Sequence, residues 1–161
     1  MTEVAIRPYT ANDTSALTKL FFASVREAGL KDYTGEQVSA WAPKPPDPNH
    51  FHEKATDGRT VLVAVNNHNE PVAYGDLEPD GHIDHLYCRP DFVGLGVASQ
   101  LYDALEATAR SRTMLRLYVE ASEAARRLFL RKGFSIVERR DFMLRGVAIH
   151  NYAMVKTLSV I

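Results

Sequence analysis

The chain has 161 residues, 45% of them hydrophobic and 24% charged, with a formal net charge of −1. These proportions fit one folded domain over residues 1–161 and exclude a disordered chain, and the near-neutral balance argues against a nucleic-acid partner held by a broad basic surface. The single cysteine, Cys88, cannot close an internal disulfide, no apolar run is long enough for a bilayer and "MTEVAIRPYT" carries no export signal, so the expected location is the cytoplasm with no membrane partner.

In chain order, "EVAIRPYT" alternates as a strand does. Asp13 or Thr14 can then cap a helix with Leu17, Leu20, Phe21 and Val25 on its apolar face, ended by Gly29. "TGEQVSAW" reads as a short helix capped by Thr34. "APKPPDPNH" is a stiff proline loop, and a further short helix is expected over His50 to Thr56. From Arg59 the pattern changes to "RTVLVAV", "PVAYGDLE" and "HIDHLYC", three strands joined by turns. A helix runs to about Ser111, followed by the strand "MLRLYVE", the helix "SEAARRLFLRKG" and two strands, "FSIVERRD" and "VAIHNYAMVKTL". The order predicts an α/β fold of mixed type, with a mostly antiparallel sheet of about six to seven strands and helices on both faces.

"PDFVGLGVASQL" joins the third meander strand to its helix. Val97, Leu101, Ala104, Leu105 and Thr108 recur at helical spacing, so the helix starts at Gly94 and Gly96. A helix N-terminus has amides without partners and a partial positive charge, and glycine lets a bulky anion approach. The same glycines also serve a plain strand-to-helix turn. A P-loop is excluded, because no Gly-Lys-Ser/Thr is present. A Rossmann fingerprint fits poorly, because Ser99 stands where a third glycine belongs and a meander precedes the turn, although Glu120 could imitate the ribose-binding acid.

The turn resembles the acetyl-CoA motif of the GNAT superfamily of N-acetyltransferases, Gln/Arg-x-x-Gly-x-Gly/Ala. Gly96 and Ala98 match its small residues, Gly94 a frequent extra glycine, and Val93 departs from its first position. The superfamily's later motif, Asn-x-x-Ala-x-x-Phe-Tyr-x-x-x-Gly-Phe, is similar to "SEAARRLFLRKGF". There Ala125, Leu128, Gly133 and Phe134 agree, while Ser122 replaces Asn and Phe129 replaces Tyr. The resemblance extends over almost the whole chain, from "IRPYTANDTSALTKLF" to "HNYAMVKTL".

The resemblance implies a sheet splayed between its fourth and fifth strands, "HIDHLYC" and "MLRLYVE", with acetyl-CoA as co-substrate in the gap. Backbone groups of Leu86, Tyr87 and Cys88 would bind the pantetheine arm and acyl oxygen. Amides of Val93, Gly94, Leu95, Gly96, Val97 and Ala98 would hold the pyrophosphate, and the second motif puts Ser122 and Phe129 on the cofactor side. The implied activity is acetyl transfer to an amine by direct attack in a ternary complex; the alternative is a non-catalytic acyl-CoA-binding module. Asp84 and Glu78 are the candidate bases, with His85 or a buried, paired Asp84 as competing readings. Phe129 cannot donate a proton, so Tyr118, Ser122, Tyr152 or solvent would do so if a donor is needed.

Tyr33, Trp41 and Asp76 are candidates for the acceptor pocket, Trp41 equally for packing, and the acceptor is a small-molecule or peptide amine. Arg126, Arg127, Arg131 and Lys132 could attract the 3′-phosphate of CoA or form a solvated face. No metal is expected, since His50-x-His52 and His82-x-Asp84-His85 lack a recognised ligand pattern. A homodimer through the C-terminal strands is open.

Overall fold

The computed structural model describes residues 3–159. Its elements run β1 (Ala5–Pro8), α1 (Thr14–Arg26), α2 (Gly35–Trp41), α3 (Pro48–Ala55), β2 (Thr60–Val65), β3 (Pro71–Leu77), β4 (His82–Ile83), β5 (Leu86–Cys88), α4 (Val97–Ser111), β6 (Arg116–Ala121), α5 (Glu123–Arg131), β7 (Ser135–Leu144) and β8 (Val147–Thr157). The strands form two four-stranded sheets, ordered β1-β2-β3-β5 and β4-β6-β8-β7. Among the described residues, only β4 and β6 pair in parallel. No helix of the described residues is long and apolar enough to cross a membrane.

The expected single strand "HIDHLYC" is therefore two, which raises the strand number to eight among the described residues. Its first half pairs with β6, His82 opposite Tyr118 and Ile83 opposite Val119. Its second half pairs with β3, Leu86 opposite Gly75 and Cys88 opposite Ala73. The break is a bulge. The Asp76 N–H donates to the His85 carbonyl and the Glu78 N–H to the His82 carbonyl, so Leu77 faces both Ile83 and Asp84. The freed N–H groups of Asp84 and His85 both donate to Asp76 Oδ1, each at 2.8 Å. One acidic side chain thus holds open the seam between the sheets.

Helices cover both faces. Leu17 and Leu20 of α1 and Phe51 of α3 pack on Val61, Val63 and Tyr74. Val97 and Leu101 of α4 pack on Ala64, Val72 and Ala73 from the other side. Lower on α4, Tyr102, Leu105 and Ala109 join Phe129 and Phe134 against β6 and β8. Burial of these side chains supplies the main driving force, at about 1.5–3 kcal/mol for each large one.

Local capping explains the helix boundaries. Thr34 accepts the Gln37 N–H, as its sequence position predicts. Asp13 does not cap α1 with its side chain; its carboxylate takes both Arg7 guanidinium nitrogens at 2.8 Å and the Thr10 N–H at 2.9 Å. α1 also stops at Arg26, and a 3₁₀ turn over Ala28–Lys31 carries the chain through Gly29. Gly81 sets the close contact of β4 with β6. Its φ is +97°, and a Cβ there would lie 2.2 Å from the Arg116 carbonyl oxygen.

Candidate active site

The two sheets part where β4 ends. Val119 is the last β6 residue with a β4 partner, so β5 and the end of β6 line a gap. Hydrogen-bonded and non-bonded pairs alternate along an antiparallel ladder. The Arg89 N–H bonds to Val72 and the His85 carbonyl to Asp76, which makes Tyr87–Tyr74 the bonded pair between them. Leu86 and Cys88 therefore turn their N–H and C=O groups to the gap. The main chain of Tyr87 is used by β3, and only its side chain reaches the cleft.

Beyond β5 the chain turns through Pro90–Phe92 into α4. Gly94 and Gly96 adopt φ of +81° and +82°, and a Cβ on either would meet nothing within 4 Å. Among the described residues, the N–H groups from Gly94 to Ser99 have no acceptor. That of Val93 bonds the Pro90 carbonyl at 3.4 Å. A row of free amides at the start of a helix that runs to Ser111 suits an anion.

A cavity of about 260 Å³ opens on the α1–α2 side of the gap. Tyr33, Trp41 and Tyr87 form one wall; Phe142, His150 and Asn151 of the β7–β8 hairpin form the other. Tyr33 and Trp41 meet edge to face at 5.8 Å, and the Tyr33 hydroxyl donates to the His150 carbonyl and accepts the Glu123 N–H. Asp84, Glu120 and Ser122 lie at the sheet side of the same cavity.

Beside the cleft lies a charged network centred on Arg59, whose side chain is 6% exposed. Its Nη1 meets Asp76 Oδ2 at 2.8 Å and Asp84 Oδ2 at 3.2 Å; its Nη2 meets Asp57 at 3.0 Å and Glu78 at 3.5 Å. Burial works against the guanidinium charge, but the carboxylates outweigh it and raise its pKa. Burial likewise works to raise the Asp84 carboxyl, and the cationic forms of His85, Lys54 and Arg59 overcome it and hold it low. Burial depresses the pKa of His85, whose Nδ1 lies 2.9 Å from the Tyr74 hydroxyl.

A family model described as an acetyltransferase (GNAT) domain matches residues 29–156. The chain belongs to the GNAT acetyltransferase family. It is 29% identical over 154 residues to the uncharacterised N-acetyltransferase YafP of Escherichia coli, across 96% of both chains. A GCN5-related N-acetyltransferase structure from Rhodopseudomonas palustris superposes with a TM-score of 0.88 at 35% identity, across 98% of both chains. A phosphinothricin acetyltransferase of Sinorhizobium meliloti, solved in complex with acetyl-CoA, has the same fold at 16% identity, with a TM-score of 0.79 over 98% of this chain and 89% of that one.

In this GNAT enzyme the residues singled out from sequence are dispersed over different surroundings. Asp84, Tyr33 and Trp41 meet in the cleft. Asp76 does not join them; it is 4% exposed and committed to Arg59 and the bulge amides, beside a separate cavity of about 150 Å³ bordered by Phe51, Tyr74 and His85. Glu78 is turned from the cleft, with one oxygen on His82 Nδ1 and the other near Arg59. Phe129 is 2% exposed and packs edge to face on Tyr102, within the core. Ser122 borders the cleft and caps α5 through the Ala125 N–H.

Of the other alternative proton donors, Tyr118 bonds Asp80 and Tyr152 bonds Glu123. On α5 and at its C-cap, Arg127 pairs with Asp32, Arg126 with Glu123 and Lys132 with Asp103, which leaves Arg131 without a pair among the described residues. Cys88 is pushed up to about 11 by burial, so its thiol stays protonated. Sequence reasoning missed Arg140, His150 and Asn151, because the hairpin that brings them to the cleft carries no motif.

Proposed function

We propose that this enzyme transfers the acetyl group of acetyl-CoA to an amine by direct attack in a ternary complex. The observation that carries the reading is the row of free amides at Gly94–Ser99, continuous with the open main-chain edge of β5. Acetyl-CoA supplies an activated thioester when bound. The amides and the α4 dipole suit its pyrophosphate, and the absence of side chains at Gly94 and Gly96 leaves room for it. The outward N–H and C=O groups of Leu86 and Cys88 suit the pantetheine arm. An N–H there can also stabilise negative charge on the acyl oxygen as the amine attacks. The Val93 side chain is exposed and its amide is engaged elsewhere, so its departure from the motif costs this site little. The acetyl-CoA bound by the Sinorhizobium meliloti relative supports the choice of donor.

The acceptor enters between the Tyr33–Trp41 wall and the β7–β8 hairpin, and a carboxylate at the sheet side of the cleft takes its proton. The test is CoA release over a panel of tyramine, benzylamine, spermidine, L-lysine, L-phenylalanine and a peptide with a free N-terminus. Release with at least one amine, above hydrolysis, is expected. Tight acetyl-CoA binding with no release from any of them would favour a binding module.

A further inference from the structure

Two carboxylates border the cleft at the point where the sheets part, Asp84 and Glu120. They are held differently. Asp84 Oδ2 lies 3.2 Å from Arg59 and 3.6 Å from Lys54, and a carboxylate beside two permanent cations is a poor proton acceptor. Glu120 follows directly after Val119, the last residue paired with β4. Its Oε1 lies 2.7 Å from His82 Nε2, and its Oε2 has no partner among the described residues.

His82 is fixed on every side. Its Nδ1 bonds Glu78 and its N–H donates to Asp80. Its ring stacks on Tyr118 at 4.8 Å. Glu78 in turn reaches Arg59 at 3.5 Å. Both ring nitrogens donate only when the imidazole carries two protons. Burial opposes that charge, and the two carboxylates outweigh it and raise the His82 pKa. The groups facing this row are Asp80 and Tyr118 at His82, with Asp84, Arg140 and His150 around the cleft at Glu120.

We propose that Glu120 is the base that deprotonates the acceptor ammonium, through Oε2, and that His82 is the positioning residue that aims it. The inference rests on the acetyl-transfer reading above and names a residue for it. An ammonium N–H bond breaks, its electron pair stays on nitrogen, and an O–H bond forms on Glu120. The lone pair then forms the C–N bond as the C–S bond breaks, and a second nitrogen proton leaves with the thiolate to give the thiol. Glu120 returns its proton to water through the open cleft.

The test measures CoA release from pH 6 to pH 10 for wild type, Glu120→Gln and His82→Gln, using whichever amine of the panel wild type acetylates fastest. Acetyl-CoA affinity and melting temperature serve as checks on folding. Glu120→Gln is expected to lower kcat on the order of 100-fold at pH 7. The deficit should shrink roughly tenfold per pH unit as alkali supplies free amine. His82→Gln should lower kcat about tenfold and displace the acid limb of the profile. Glu120→Gln within threefold of wild type, or an equal deficit at every pH, overturns this assignment alone. No release by wild type with any amine overturns the acetyl-transfer reading, and this role with it.

Discussion

Arg59 and Asp76 form a buried ion pair, with Nη1 2.8 Å from Oδ2 and side chains only 6% and 5% exposed. The second carboxylate oxygen of Asp76 holds the Asp84 and His85 amides. A single side chain thus ties a buried cation to the bulge that separates the sheets. Asp76→Ala leaves a guanidinium and two amides without that partner, and should cost roughly 3–5 kcal/mol. Urea unfolding checks this; a loss below about 1 kcal/mol would show that solvent or Asp57 replaces Asp76 without difficulty.

At Gly96 the expected effect is on binding. Gly96→Glu places a negative charge where the free amides converge and should weaken acetyl-CoA binding at least tenfold by calorimetry, by roughly 1.4 kcal/mol or more. Gly96→Ala isolates the backbone cost of φ +82°, about 1–2 kcal/mol of stability. Equal affinities for wild type and a folded Gly96→Glu would remove the pyrophosphate from this turn.

Acid sensitivity should trace partly to Glu106. Burial alone would raise its pKa, but hydrogen bonds from Lys156, Tyr102 and Arg110 lower it to about 2, against an ordinary value of 4.5. A carboxylate with a depressed folded pKa stabilises fully above its unfolded pKa and loses that contribution as pH falls through the folded one. The window is therefore pH 4.5 down to about 2. With discount for partial exposure the loss is about 2 kcal/mol. Glu106→Gln should flatten the stability curve over that interval; a curve of unchanged slope there would deny Glu106 the effect.

The Cys88 thiol, at about 11, should alkylate slowly. At pH 8 its reaction with iodoacetamide should run on the order of 100-fold slower than that of an exposed thiol, and accelerate as pH approaches 11. Mass spectrometry follows the adduct. A fast reaction at pH 8 would reveal a thiolate that this environment does not predict.

The sequence makes some of this architecture legible and hides the rest for definable reasons. Gly94 and Gly96 could be read because positive φ demands glycine, and helical spacing begins just beyond them. Thr34 could be read because capping is local. The bulge at Asp84 leaves only a slight trace, the adjacent polar pair Asp84–His85 that shifts the apolar phase from Ile83 to Leu86, and the side chain that fixes it, Asp76, comes from another strand. The Tyr33–Trp41 wall was legible as a pair of aromatics, but Arg140 and Asn151 face it only through the register of β7 with β8. Phe129 sits at a motif position, yet its ring is drawn into the core by Tyr102 and Phe134. Glu120 could be seen as an acid at a strand end, while its contact with His82 depends on a parallel pairing only two residues long.

The central claim is acetyl transfer from acetyl-CoA to an amine in the cleft between β5 and β6. The most direct measurement incubates the enzyme with acetyl-CoA and the amine panel, then quantifies free thiol and acetylated amine together. Equal amounts of both are expected with at least one amine, and a large loss of both in Gly96→Glu. Thiol without acetylated amine, or neither product from an enzyme that binds acetyl-CoA, would contradict it.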